Sequence, residues 1–206
     1  MKEEIQRILD AEANAIRNIP VNDHFGKAVG LIYKAVHKKG GKVIASGMGK
    51  AGQIALNIAT TLSSTGTPAI FLHPSDAQHG DLGVISENDI LLLITNSGKT
   101  REILELYELS KGLVSDIPVI VITGNPYSPL GSIANVTIFT GGPNEVCPLG
   151  LTPTTSTTVM TVIGDILVVL LMKKIGFTAE DYAKRHHGGY LGMQSRKAVM
   201  KGPSKK

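Results

Sequence analysis

The tightest constraint on the fold is a set of short, unbroken apolar runs, clearest in Ile90-Leu91-Leu92-Leu93-Ile94 and Val119-Ile120-Val121-Ile122. A strand with one wet face alternates apolar and polar residues. Runs without alternation are buried on both faces, which requires a parallel sheet between layers of helix. The pattern predicts strands at 42–47, 69–73, 89–95, 118–124 and 135–140. Between them, apolar residues at helical spacing predict helices at 50–64 and 100–113 and a shorter one near 129–134. Before the first strand, Ile5, Ile8, Leu9, Ile16 and Ile19 share one helical face up to Pro20, and Phe25, Val29, Ile32 and Val36 repeat it over 21–38. These two helices cannot be crossovers, so they pack outside the sheet or on a second subunit. The expected fold is α/β with three layers, a five-stranded parallel sheet ordered 2-1-3-4-5 and two added N-terminal helices.

A sheet of that order reverses direction between its first and third strands, and ligands bind outside the carboxyl ends at that reversal. The loop after the first strand is Ser46-Gly47-Met48-Gly49-Lys50, and the loop after the third is Asn96-Ser97-Gly98-Lys99-Thr100. Each joins a strand to a helix start, where unpaired backbone N–H groups and the helix dipole favour an anion. Gly47, Gly49 and Gly52 also match the G-x-G-x-x-G spacing of dinucleotide folds, with Asp76 beyond the next strand. A dinucleotide is held mainly by the first loop, whereas two facing Ser/Gly loops suit one compact phosphomonoester, so a sugar phosphate is the favoured ligand. Ser97 and Thr100 would also be explained by helix capping alone.

With 206 residues the chain is long enough for one sizeable core, plus an added helical piece. Its charged share of 18% is that of an ordinary globular protein, and Cys147, the only cysteine, excludes an internal disulfide and suits a cytoplasm. The charged start, Met-Lys-Glu-Glu, is unlike a signal peptide. The apolar run 159–172 is interrupted by Asp165 and is read as too short to span a bilayer. It belongs to a long helix, 154–175, apolar almost all round and therefore expected at a subunit interface. Gly176 ends that helix, and Thr178 opens a last short one ending near Arg185. Part of the net charge of +4 sits beyond residue 193, read as a flexible basic tail over 193–206 without nucleic-acid-binding function.

Several long motifs in fixed order carry a resemblance: Ser-Gly-Met-Gly-Lys at 46–50, Ser-Thr-Gly-Thr-Pro at 64–68, His-Pro-Ser-Asp-Ala-Gln-His-Gly-Asp-Leu-Gly at 73–83, Thr-Asn-Ser-Gly at 95–98, and Cys-Pro-Leu-Gly-Leu-Thr-Pro-Thr-Thr-Ser-Thr-Thr at 147–158. Together they resemble the sugar isomerase (SIS) domain over about residues 40 to 192. With Gly-Phe-Thr-Ala-Glu-Asp-Tyr-Ala at 176–183 and His-His-Gly-Gly-Tyr-Leu-Gly at 186–192, the chain is similar to the D-arabinose 5-phosphate isomerases of lipopolysaccharide synthesis. The resemblance implies an SIS domain over 1–192, with 1–40 as its helical extension. It implies exchange of ribulose 5-phosphate and arabinose 5-phosphate through a cis-enediol, supplying carbon to the eight-carbon acid Kdo.

By the same resemblance, Lys50, Glu102, Glu145 and His186 fall on the family's catalytic positions. The substrate positions fall on Ser46, Gly47, Gly49, Gly66, Thr67, His73, His79, Asn96, Ser97, Gly98 and Thr100. Such chemistry needs a base at C1–C2, an acid/base for the oxygens and a cation beside the enediolate. His186 is assigned to ring opening or oxygen proton exchange, Glu102 or Glu145 to the carbon-bound proton, and Lys50 to the developing charge. On their residues alone Glu102 reads as a first-turn carboxylate and His186 as a helix-end histidine; Glu145, in a Gly- and Pro-rich loop, is not demanded by packing. No cofactor is required, although His73 is a candidate ligand for adventitious or inhibitory zinc. A homotetramer, a cytoplasmic location and inhibition by a Kdo nucleotide are further implications. Two positions depart from the family: His187 replaces the usual proline, and Lys99 replaces a residue commonly acidic in close relatives. Full-length relatives continue into two regulatory CBS modules, for which the sequence shows no counterpart up to Lys206. A non-catalytic sugar-phosphate sensor and an isomerase of another sugar phosphate remain as alternatives.

Overall fold

The computed structural model describes residues 1–200. Helices α1 (Lys2–Arg17) and α2 (His24–Ile32) come first, the latter continuing as a wider π turn over Tyr33–Lys38. The chain then alternates β1 (Val43–Gly47), α3 (Gly49–Ser64), β2 (Ala69–Phe71), the short α4 (Pro74–Ala77), a 3₁₀ turn (Asp81–Val84), β3 (Ile90–Ile94) and α5 (Arg101–Leu113). It continues with β4 (Val119–Thr123), α6 (Pro129–Ile133), β5 (Val136–Phe139), the long α7 (Thr155–Ile175), α8 (Ala179–Ala183) and α9 (Gly189–Met200). All five strands are parallel and lie in the order β2-β1-β3-β4-β5, as the apolar runs require.

Alternate residues of the buried strands feed two cores. Val43, Ala45, Ile90, Leu92, Ile94, Ile120 and Ile122 face α2, α3 and α7, whereas Ile44, Leu91, Leu93, Val119 and Val121 face α5 with its Ile103 and Leu106. At the entrance to the central strands, Asp89 ties β1 to β3. Its carboxylate accepts from the Lys42 backbone N–H at 2.8 Å, the Lys42 ammonium at 2.7 Å and the Ser86 N–H at 2.8 Å.

Helix α7 is longer than the apolar run that announced it. At 21 residues it meets the length and composition of a membrane span, yet half of its apolar window is buried inside the protein. Val159, Met160, Ile163, Leu167 and Leu171 pack inward, and α3 crosses so closely that a side chain at Gly164 would collide with Ile58. The expectation of a flexible tail from residue 193 needs correction as far as residue 200. Helix α9 folds back on α8, with Gly192 pressed against the His186 carbonyl and Arg196 Nη1 donating to the His187 carbonyl at 3.3 Å. Its glycines hid the helix from a reading of propensity. Residues 201–206 of the expected tail lie outside the described residues.

Candidate active site

Three helix N-termini converge at the carboxyl end of the sheet. Lys50 and Ala51 from the start of α3, Thr100 before α5, and Pro153, Ser156 and Thr157 from the start of α7 line a cavity of about 300 Å³ with Thr95, Asn96 and Ser97. Gly49 takes φ +57°, a left-handed conformation that costs glycine nothing and lets the chain turn from β1 into α3. The dipoles of three helices and the Lys50 ammonium make this hollow favourable to an anion. A larger hollow, of about 460 Å³, opens at the amino end of the sheet. It mixes Lys34 and Lys39 with Glu87 and Asp116 and has no such convergence, so the smaller cavity is the better phosphate site.

Among the residues singled out in the sequence, Lys50, Asn96, Ser97 and Thr100 come together in that cavity. The Thr100 and Thr95 hydroxyls are 2.8 Å apart, and Ser97 Oγ accepts from the Lys99 N–H at 3.2 Å. Glu102 lies in the first turn of α5 and is not among the residues that line the cavity. His73 caps the carboxyl end of β2 and His79 is exposed beyond α4, which packs on α5 through a Gln78–Glu105 hydrogen bond of 2.8 Å.

Other positions depart from expectation. Ser46 is fully buried and its hydroxyl donates to the Leu72 carbonyl at 2.6 Å, so it ties β1 to the edge strand instead of facing a ligand. Gly47 is buried, its backbone lying against Ala51 and Gly52, and it shapes the turn without presenting a donor side chain. Gly98 donates to Thr95 Oγ1 at 3.2 Å and accepts from the Leu130 N–H at 3.2 Å, packed under Ser128. Gly66 and Thr67 precede β2 and therefore sit at the opposite end of the sheet. Gly66 faces the Phe177 ring, and the Thr67 hydroxyl is buried against His37 Nε2 at 3.1 Å. Burial pushes the His37 ring below its ordinary value.

His186 is remote as well. Its ring stacks on Tyr182 with centroids 3.7 Å apart, and Tyr182 meets Phe177, which covers Gly66. Helix α7 separates this cluster from the cavity by roughly 30 Å, at 1.5 Å per residue over its 21 residues. Within one chain, Lys50 and His186 do not meet.

Glu145 lies in the loop before α7 and caps that helix, so it has a structural task the sequence did not reveal. Its Oε2 accepts from the Thr154 N–H at 2.7 Å, the Thr154 hydroxyl at 3.0 Å and the Ser156 N–H at 3.2 Å. Partial burial disfavours the charge, but the hydrogen bonds from Ser156 and Thr154 outweigh it and hold the carboxyl below the ordinary glutamate value. Cys147, unpaired in the same loop, receives N–H groups from Thr152 at 3.1 Å and Leu151 at 3.3 Å. Pro153, Ser156 and Thr157 were missed as cavity residues because their Ser/Thr-rich run reads as a helix entry, although its motif was visible.

Zinc has little to hold it. His73 Nδ1 is buried without a hydrogen-bond partner and lies 3.7 Å from Asp76 Oδ2. Among the described residues no cluster of three or more His, Cys, Asp or Glu side chains is placed to bind a metal. Two donors do not make a closed zinc site.

Known proteins share both this sequence and this architecture. Arabinose 5-phosphate isomerase KdsD of Pseudomonas aeruginosa is 45% identical over 189 residues, 91% of this chain and 56% of that protein. The chain thus spans about half the length of the curated relatives it matches. A Bacteroides fragilis NCTC 9343 protein provisionally named a phosphosugar isomerase involved in capsule formation superposes with a TM-score of 0.91. It is 65% identical, over 92% of this chain and 99% of that one. Escherichia coli CFT073 c3406, solved in complex with arabinose 5-phosphate, superposes with a TM-score of 0.82 at 32% identity, over 88% and 95% of the two chains. The SIS domain pattern matches residues 36–170, and the chain belongs to the SIS domain family.

Proposed function

We propose that the protein is an aldose–ketose isomerase that interconverts D-ribulose 5-phosphate and D-arabinose 5-phosphate. One observation carries the reading: a cavity at the convergence of three helix N-termini, with Lys50 in its wall and the ionised Glu145 tethered to the helix that supplies its other side. The names of the KdsD relatives and the arabinose 5-phosphate bound to c3406 support the choice of substrate.

Phosphate is held by Asn96, Ser97, Thr100 and the N-termini of α3 and α5. A carboxylate, Glu102 or Glu145, takes the proton from C1 of the ketose, leaving an enediolate across C1–C2. The carboxyl group exchanges that proton with water and then delivers a proton to C2, while a hydroxyl proton passes from O1 to O2. The product is an isomer of the substrate, so no external oxidant or reductant enters. Lys50 stabilises the negative charge that develops on oxygen. Proton transfer of this kind needs no cofactor, and zinc at His73 would be adventitious or inhibitory.

His186 enters from a neighbouring subunit. Gly66, Thr67 and His186, the expected site residues farthest from the cavity, share the amino end of the molecule through Phe177. A partner docking that end over this chain's cavity would bring His186 and the Gly66 turn to it at once, while Thr67 stays buried against His37. The remaining apolar exposure has the same sense: Val169 on α7, Leu56 on α3 and Leu9 on α1 are 47%, 47% and 57% exposed. The reading is a homotetramer in the cytoplasm, serving Kdo synthesis and open to inhibition by a Kdo nucleotide.

Proton NMR in deuterated water tests the reaction. Ribulose 5-phosphate should give arabinose 5-phosphate with deuterium at C2, without added metal. No turnover of this pair, with turnover of a hexose phosphate instead, would overturn the substrate assignment.

A further inference from the structure

We infer that Glu12, on the N-terminal helix, is a positioning residue for the isomerase site, acting through the first turn of α7; the inference rests on the isomerase reading. Glu12 lies outside residues 36–170, so the family pattern does not account for it. Its Oε1 accepts from the hydroxyl of Thr155 at 2.9 Å, and Thr155 is 1% exposed. Its Oε2 is shut off from solvent without a donor.

A carboxylate with one buried oxygen left unpaired is costly, and packing alone would be served better by an apolar side chain. Helix α1 buries no residue fully, so general core formation does not explain the choice either. What compensates the charge is the α7 N-terminus, where unpaired N–H groups and the helix dipole favour an anion. Glu12 and Glu145 then grip one turn from two directions: Glu145 holds Thr154 and Ser156, and Glu12 holds Thr155 between them. That turn presents Ser156 and Thr157 to the cavity and is the anchor of Glu145. Loosening it displaces the groups that touch the substrate, and small displacements of reacting groups are expensive in rate.

The test compares Glu12→Ala, Glu12→Gln, Thr155→Val and the Glu12→Ala/Thr155→Val pair in the whole chain, with ribulose 5-phosphate as substrate. Glu12→Ala and Thr155→Val should each lower kcat/KM on the order of tenfold, the size of one hydrogen bond to a charged group. The loss should fall on kcat more than on KM, and the pair should be no worse than either alone. Glu12→Gln should recover most of the rate, since its amide oxygen still accepts from Thr155. Additive losses, or a lower melting temperature with kcat unchanged, would overturn the positioning role. Hydrogen exchange supplies a readout independent of turnover: Glu12→Ala should speed exchange in the first turn of α7 and spare its far end. If the unaltered protein shows no isomerase activity, the reaction assignment fails and exchange decides the Glu12 contact by itself, unchanged rates sinking it.

Discussion

Glu145 Oε2 accepts from the Thr154 N–H, the Thr154 hydroxyl and the Ser156 N–H, and the Ser156 hydroxyl also helps to hold the charge. Capping α7 and the proposed proton transfer are two tasks for one carboxylate, and Gln separates them. In Glu145→Gln the amide oxygen still accepts the Thr154 and Ser156 N–H groups, so the fold persists with a loss of about 1 kcal/mol. The carboxyl proton shuttle is gone, and kcat should fall by a factor on the order of 10² or more in a steady-state assay. A normal kcat would leave Glu145 as a cap only. The acid limb of stability carries a second signature. Because the folded-state value is depressed, the ionised form stabilises the protein above the ordinary glutamate value, about 4.3. That contribution is lost as pH falls through the lower folded value. Acid titrations followed by circular dichroism should therefore show a shallower loss in Glu145→Gln than in the unaltered chain.

At the scale of elements, the position of α7 decides whether its first turn reaches the cavity, and Gly164 sets that position by admitting Ile58 of α3. Gly164→Val places a branched side chain where those helices touch. Overpacking of this kind costs about 1–3 kcal/mol. Calorimetry should show a melting temperature lower by several degrees, with the cavity loops of β1 and β3 intact. A variant as stable as the parent would mean that α3 and α7 are not held at that distance. The strands and central helices were legible to within a residue or two, because a doubly buried strand leaves an unbroken apolar run and a packed helix leaves a periodic one. β2 is shorter than its apolar run, since only Ala69–Phe71 finds partners on β1 at the sheet edge. α4 and α9 were invisible because one is too short for periodicity and the other is studded with glycine. The glycine loops around Lys50 and Ser97 were legible as an anion site, since strand, turn and helix start are local signals. Roles set by tertiary contact were not: the cap made by Glu145, the buried bond of Ser46 and the reach of Glu12 to Thr155 join residues 9, 26 and 143 positions apart.

For the whole molecule, the decisive geometry is that Lys50 and His186 stand at opposite ends of α7. If both act in one reaction, each site needs two chains, and the oligomer carries a stoichiometry that mixing can read. A Lys50→Met chain keeps His186 but lacks the cation, and a His186→Asn chain keeps Lys50 but lacks the imidazole; each alone should be nearly inactive. Mixed, dissociated and reassembled, the two should regain activity, because a shared site can pair the intact Lys50 of one chain with the intact His186 of another. With random exchange in a 1:1 mixture, about a quarter of sites draw both intact residues, so recovery near a quarter of the parent rate is expected; this follows from counting pairings at closed symmetric interfaces. Exchange must be demonstrated separately, for example by native mass spectrometry of isotopically labelled chains. Full exchange without recovery would sink the shared site, and a His186→Asn chain that is fully active by itself would place His186 outside the reaction.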